Sequence, residues 1–529
     1  MQVGRKVAFV IAANVAGAAL GYGALLVIGR YFAPAAFGSF VFASSVAGLF
    51  TLATTLGLGS AHQRLVARGL PEAVVVGTAA RIRLALVLAG ILVVVGLAWS
   101  LAHGPGPALT DATTPLVLGG ALALHIVAMA RQFLAETWGG RQQVTRIEGA
   151  RVLDAALLLA FLANAGLMLA SLAGRWSPLP QVGDWWATAS GLDGPPTVAQ
   201  TALILVGCTL AAKILSFLVA AAWAVRDGIA FGPFDRAVAG ELWSFGIPIA
   251  IASAIGLVVQ YTDVVLIGFF WTAREVGLYG TAQKLSMMAG LVATAASGVL
   301  LSRFAQLSAS GEWAVEAKTF REAERWVLTV TIPAVAALVA LAPAVIHIAV
   351  GDAYLLAAGP LRLLALATFT DILGVPLGAR LMGRGRTRLL LQAGAINAVV
   401  NVILNLAFIP RAGLGLGATG AAAATLVSGF LSYAYLRARA RHEFRMPWAS
   451  VASLRIVAAG ALVGVLWWRL ARAWPEAIDR AWELVGWGLA GFVAYVVALA
   501  AIGGFQRQDL ELVRRAAHPR ALWHELRGR

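Results

Sequence analysis

The chain has 529 residues, of which 60% are hydrophobic and 12% charged, and its formal net charge is +16. A soluble domain carries about a quarter charged residues, so the composition excludes an ordinary soluble protein and marks an integral membrane protein. Nucleic-acid binding would need the basic residues on one soluble face, and no soluble stretch is long enough to build one. Cys208 is the single cysteine, so no disulfide framework exists.

In chain order, "GRK" precedes an apolar run at 7–29, and "APA" at 33–35 mimics a cleavage site. The run exceeds the roughly 7–15 residues of a signal h-region and matches a retained span of about 20. Further apolar segments follow at 37–60, 82–102, 114–134, 152–173, 198–224, 243–269, 277–302, 326–350, 356–380, 389–409, 414–436, 452–473 and 482–503. They predict about 14 transmembrane helices, an all-α integral membrane fold. An outer loop at 174–197, an inner amphipathic stretch at 311–325 and a basic tail from 505 are the longer connections. With the N-terminus in the cytoplasm, 31 of the 41 Lys and Arg fall on inner segments and seven on outer ones. That asymmetry predicts both termini inside and an even helix count in a plasma or inner membrane.

"IGRYFAPAAFGSF", Ile28–Phe40, has a second copy in "IGFFWTAREVGLY", Ile267–Tyr279, at an offset of 239. Gly29 aligns with Gly268, Gly38 with Gly277, Gly59 with Gly298 and Arg64 with Arg303. The offset spans six predicted helices, an even number, so the copies run the same way through the membrane. A parallel repeat of this kind places a site between two halves. The expected division is an N-lobe at 1–224, a linker at 225–242, a C-lobe at 243–440, two accessory helices at 441–504 and a cytoplasmic tail at 505–529.

Three stretches, in order, resemble the polysaccharide flippases of the MOP (multidrug, oligosaccharidyl-lipid, polysaccharide) exporter superfamily. They are "GRYFAPAAFGSF" with "LGLGSAHQRLVA" after it, "YTDVVLIGFFWTAREVGLYGTAQKL" at 261–285, and "INAVVNVILNLAFIPRAGLGLGATGAAAATLVS" at 396–428. The resemblance covers roughly residues 1–440. It implies two six-helix bundles around a central cavity. It also implies alternating access, which carries an undecaprenyl-pyrophosphate-linked glycan from the inner to the outer leaflet for cell-surface polysaccharide assembly. In some relatives, helices beyond the twelfth shape a groove for a lipid tail.

A diphosphate headgroup cannot cross lipid without a wet, cationic route, and ionisable residues inside spans default to functional hypotheses. Asp263 and Lys284 lie at equal depth, about 10 Å below the outer ends of adjacent antiparallel helices. They are expected to pair, either as a structural bridge or as a coupling site where protonation of Asp263 releases Lys284. Lys213, at mid-membrane, is the lone candidate for an anion contact. Arg30 ends the first span, where snorkelling competes with a cavity role that the resemblance favours. Asp371 fits an H+ or Na+ site or a structural acid. Asn397, Asn401 and Asn405 share one helix face, for interhelical bonding or cavity lining; Asn14 and Gln260 are weaker cavity candidates. Trp176, Trp185 and Trp186 in the outer loop read first as an interfacial belt.

No cofactor, metal site or catalytic grouping is expected. The seven histidines are scattered, and no H-E-x-x-H, P-loop or nucleophile triad occurs. The expected partners are a lipid-linked glycan, the membrane, and polymerase or assembly proteins, with a monomer favoured and nucleic acid excluded. A peptidoglycan-precursor flippase and a drug/cation antiporter of the same superfamily are the competing readings. Counting Arg30, the embedded charges lean cationic, which suits an anionic substrate.

Overall fold

A computed structural model describes residues 2–55, 57–103, 114–174, 181, 188, 195–444, 446–474 and 477–504. The three tryptophans of the 174–197 loop and the basic tail lie outside the described residues. The chain divides into two compact units, 1–277 and 278–529.

The first unit holds α1 (Gln2–Tyr31), α2 (Pro34–Thr55), α3 (Leu58–Ala67), α4 (Glu72–His103), α5 (Thr114–Gly140), α6 (Val144–Leu172), α7 (Val198–Arg226), α8 (Arg236–Phe270) and the start of α9 (Ala273–Ser286). Pro34 opens α2 where a missing N–H costs nothing. Thr197 and Gln200 form a capping box at the start of α7, and Asp235 caps α8 through the N–H groups of Ala237 and Val238. The predicted span at 37–60 is interrupted at Gly57, whose φ is 68°. A Cβ there would also sit 2.1 Å from the Gly246 carbonyl oxygen, so glycine lets α8 approach the break.

Helix α1 packs on α6, α5 and α6 pack on α7, and α2 packs on α4, α5, α7 and α8. The segment before α8 is held down: Gly232 N–H donates to Ala73 O, and Asp235 N–H to Thr78 Oγ1. The unit boundary therefore falls after α8, whereas the expected linker lies before it.

The second unit continues α9 through a 3-10 turn (Met287–Gly290) into α10 (Leu291–Ser310). It then holds α11 (Trp313–Ala340), α12 (Ala342–Val350), α13 (Ala358–Gly383), α14 (Thr387–Phe408), α15 (Gly417–Phe444), α16 (Val451–Ala473) and α17 (Ala481–Ala501). The amphipathic stretch at 311–325 is not a separate loop element: it is the first half of α11. Its two buried acids are satisfied by arginines, Glu316 by Arg380 and Arg384, and Glu324 by Arg437. The membrane helix can therefore extend beyond its apolar run.

Helices α16 and α17 join this unit through α11. Gly460 of α16 faces Ile332 so closely that a Cβ would lie 2.0 Å from its Cγ2. Trp467 is buried against Gly491 of α17 and donates to the Trp487 carbonyl.

Among the described residues, eleven helices are long and apolar enough to cross a membrane. The other predicted spans correspond to the helices broken at Gly57 and at Met287–Gly290, and to α15, whose last turns carry Arg437, Arg439 and Arg441. Each unit ties helix ends together with ion pairs. In the first, Arg141 pairs with Glu72 and Arg146 with Asp227; in the second, Arg384 pairs with Glu316 and Arg386 with Glu443.

Candidate functional site

In the first unit, one group of charged and polar side chains inside the spans lies on α1, α6 and α7, apart from the Arg83–Glu136 pair of α4 and α5. Lys213 of α7 forms an ion pair with Asp154 of α6; their side chains are only 20% and 12% exposed. One turn earlier on α6, Arg151 pairs with Glu148 and donates to Asn14 Oδ1 of α1 at 2.6 Å. The Asn14 amide N–H2 is anchored in turn on Val10 O at 2.9 Å. Asn14 is exposed, and so is much of Arg151. The result is an accessible polar strip across three apolar helices. Lys213, which the sequence offers as a lone cation, therefore has a carboxylate partner in Asp154. An ion pair of this kind offsets part of the cost of burying two charges among apolar helices and leaves each group able to bind a second polar group. The second Asp154 oxygen, Oδ1, is buried without a hydrogen bond.

Arg30 is exposed at the end of α1, just after the buried Ile28 and Gly29. Gln260 is exposed on α8, while Asp263 is buried three residues later. Lys284 is exposed on α9 in the second unit. The expected Asp263–Lys284 pair therefore draws its members from different units, and its existence stays a proposal.

The second unit separates the asparagines of α14. Asn405 and Asn401 are fully buried. Asn405 Nδ2 donates to Asn401 Oδ1 at 2.9 Å, and Asn401 Nδ2 reaches Thr425 Oγ1 of α15 at 3.4 Å. This chain stitches two helices and presents no surface. Asn397 differs: it is half-buried, and its Oδ1 has no hydrogen-bond partner. Asp371 is exposed on α13, beside Thr370, which is buried and bonded to Ala367 O.

An open apolar groove of about 410 Å³ runs between α11, α13 and α16, lined by Ile332, Val335, Phe369, Gly460 and Gly464. It shares Ala340 and Trp468 with a polar cavity of about 480 Å³ at the α12 end. There His347 lies 2.5 Å from Asp352 and 3.1 Å from Asp479. The sequence reading passed over this cluster because its members are scattered through three short connections.

The fold and its charge-bearing spans define a multi-pass membrane protein. Residues 198–359 match the family described as polysaccharide biosynthesis protein. Over 233 residues the chain is 26% identical to the probable low-salt glycan biosynthesis flippase Agl15 of Haloferax volcanii; the match covers 43% of this chain and about half, 48%, of that relative. Its fold is similar to that of the lipid II flippase MurJ in an inward closed conformation (TM-score 0.69, 14% identity, 93% of this chain and 98% of that one). It is also similar to an inward-facing multidrug resistance MATE family transporter (TM-score 0.56, 16% identity, 81% and 95%). The resemblance to flippases of the MOP exporter superfamily is borne out. Each of these relatives is a flippase or transporter rather than an enzyme.

Proposed function

We propose that the chain flips an undecaprenyl-pyrophosphate-linked oligosaccharide from the inner to the outer leaflet by alternating access, for cell-surface polysaccharide assembly. The observation that carries this reading is the polar strip of Asn14, Arg151 and Lys213 set among apolar spans. A diphosphate or sugar hydroxyl entering there would exchange water for charge-assisted hydrogen bonds, which offsets its desolvation. Arg30 and Lys284 extend the cationic character towards the outer ends. The apolar groove beside α16 suits a prenyl chain that stays in the lipid phase. Asp263 and Asp371 are the groups we assign to coupling with an H+ or Na+ gradient, and a monomer with both termini in the cytoplasm is the working form.

A peptidoglycan-precursor flippase is the second reading. It is favoured by the fold likeness to the lipid II flippase, and its substrate has the same diphosphate chemistry. A drug antiporter is third, and the cationic lean that Arg30 gives the embedded charges weighs against it.

Reconstitution tests the choice. Purified chain in liposomes, given a fluorescent undecaprenyl-diphosphate saccharide, should speed its transfer between leaflets at least tenfold over empty liposomes. Lys213→Ala should abolish the gain. Unchanged lipid transfer, together with uptake of a cationic dye, would overturn the reading in favour of the antiporter.

A further inference from the structure

We propose that the polar cavity between α12, the Asp352–Ala357 turn and the α16–α17 connection is a saccharide-diphosphate site at the outer face. There it would hold the headgroup of a lipid-linked glycan while the prenyl chain lies in the adjoining groove. This rests on the flippase reading above and on the Lys/Arg distribution that puts this end of the second unit outside.

Three features point to that ligand. The first is unspent positive charge. Arg362 and Arg472 both line the cavity, and neither has a carboxylate partner among the described residues. Arg362 uses only its Nε, on Val339 O at 3.2 Å, and Arg472 stacks 4.1 Å above the Trp468 ring. Each guanidinium keeps donors free in the fork geometry that matches a phosphate.

The second is a set of sugar-type contacts in the same lining. Asp352 and Asp479 are more than 70% exposed, and His347 between them holds both in place. Carboxylate oxygens accept from sugar hydroxyls, while they would repel a plain anion. Trp474, 59% exposed, offers a flat apolar face to the C–H side of a sugar ring. A mixture of cations, acceptors and an aromatic platform suits a glycosyl diphosphate, whose phosphates meet the guanidinium groups and whose sugar hydroxyls satisfy the carboxylates.

The third is shape. The cavity volume of about 480 Å³ lies within the roughly 300–1,000 Å³ of small-molecule sites. Ala340 and Trp468 belong to both cavity and groove, so a ligand with a polar head and an apolar chain would fit across them without a break.

Photo-crosslinking in living cells tests this. Trp474 is replaced by p-benzoylphenylalanine, which keeps an aromatic ring at an exposed position, and Gln260 is replaced likewise in a second strain. After irradiation, adducts on the purified chain are identified by mass spectrometry. The expected result is a prenyl-diphosphate saccharide on both, with the Trp474 adduct at least fivefold weaker when Arg362→Gln and Arg472→Gln are added and the Gln260 adduct unchanged. A glycan adduct at Gln260 with none, or only phospholipid, at Trp474 would sink the outer site and leave the flippase reading intact. Absence of the glycan from both positions would overturn the flippase reading and this site with it.

Discussion

Gly38 and Gly277 pack directly against each other. A Cβ on Gly38 would lie 1.6 Å from the Ala273 carbonyl oxygen, and one on Gly277 would lie 2.0 Å from that of Pro34. These are two residues that the internal repeat aligned. Their backbones approach as only small residues permit, the usual device for close helix packing within a membrane. Either glycine replaced by valine forces α2 and α9 apart. We expect Gly38→Val and Gly277→Val each to cost about 1–3 kcal/mol, as overpacking does. Thermal unfolding in detergent, followed by size-exclusion chromatography, should show a clear fall in midpoint. Gly298 is the contrast: nothing lies within 4 Å of its would-be Cβ. Gly298→Ala should therefore leave the midpoint unchanged or raise it, since alanine is the better helix former by about 1 kcal/mol. A fall there as large as for Gly38 would contradict the packing argument.

The Lys213–Asp154 pair separates stability from function. Removing one partner leaves the other charge buried alone, at a cost of about 3–5 kcal/mol. Asp154→Leu and Lys213→Met as single changes should both reduce the yield of folded protein. Combined, they replace the pair with apolar groups of similar size, and folding should recover. Lipid transfer in liposomes should not recover, because the polar strip has lost Lys213, one of its two cations. A stable double variant with full transport would show the pair to be structural only.

How much of this was legible in the sequence depends on what each signal measures. Span positions follow from apolar run length, which local composition records. The breaks at Gly57 and Met287–Gly290 follow from contacts between helices, which it does not. The Asp154–Lys213 pair was within reach. Asp154 lies ten residues past the start of α6, and Lys213 thirteen before the end of α7. At 1.5 Å per residue these are depths of about 15 and 20 Å from the same membrane face, a gap a lysine stem can bridge. The depth argument applied to Asp263 and Lys284 would have found it. The His347 cluster was not legible in the same way. Asp479 comes from a connection 132 residues further on, and no periodicity links the two.

Asn401 and Asn397 should respond differently although they share a helix face. Asn401 is fully buried and bonded to Asn405 on its own helix and Thr425 on the next, so Asn401→Ala should cost about 1–2 kcal/mol through lost buried hydrogen bonds. Its effect on substrate selectivity should be small. Asn397 has an oxygen without a partner and part of its surface open. Asn397→Ala should leave the unfolding midpoint within error and lower the transport rate. A competition assay between two lipid-linked saccharides, run beside the melts, checks both halves. The reverse pattern would reassign Asn397 to packing and Asn401 to substrate.

His347 gives the fold a dependence on pH. It lies beyond the end of the α11 span at Ala340, in the short helix α12. Its hydrogen bond to Asp352, with that carboxylate's charge and the bond to Asp479 beside it, raises its pKa above the ordinary histidine value. A group whose pKa is higher folded than unfolded contributes stability that is complete below the unfolded pKa, about 6.5, and fades as pH climbs through the folded one. The link between α12 and the α16–α17 connection should therefore hold at pH 6 and loosen above pH 7. Because both aspartates are largely exposed, solvent screening keeps the effect below about 1 kcal/mol. Hydrogen exchange of residues 477–480 should quicken between pH 6 and pH 8 after correction for the intrinsic rate. His347→Gln keeps a hydrogen-bonding side chain without the charge, and should make the corrected rate flat across that interval. A corrected rate that climbs equally in the variant would place the pH response elsewhere.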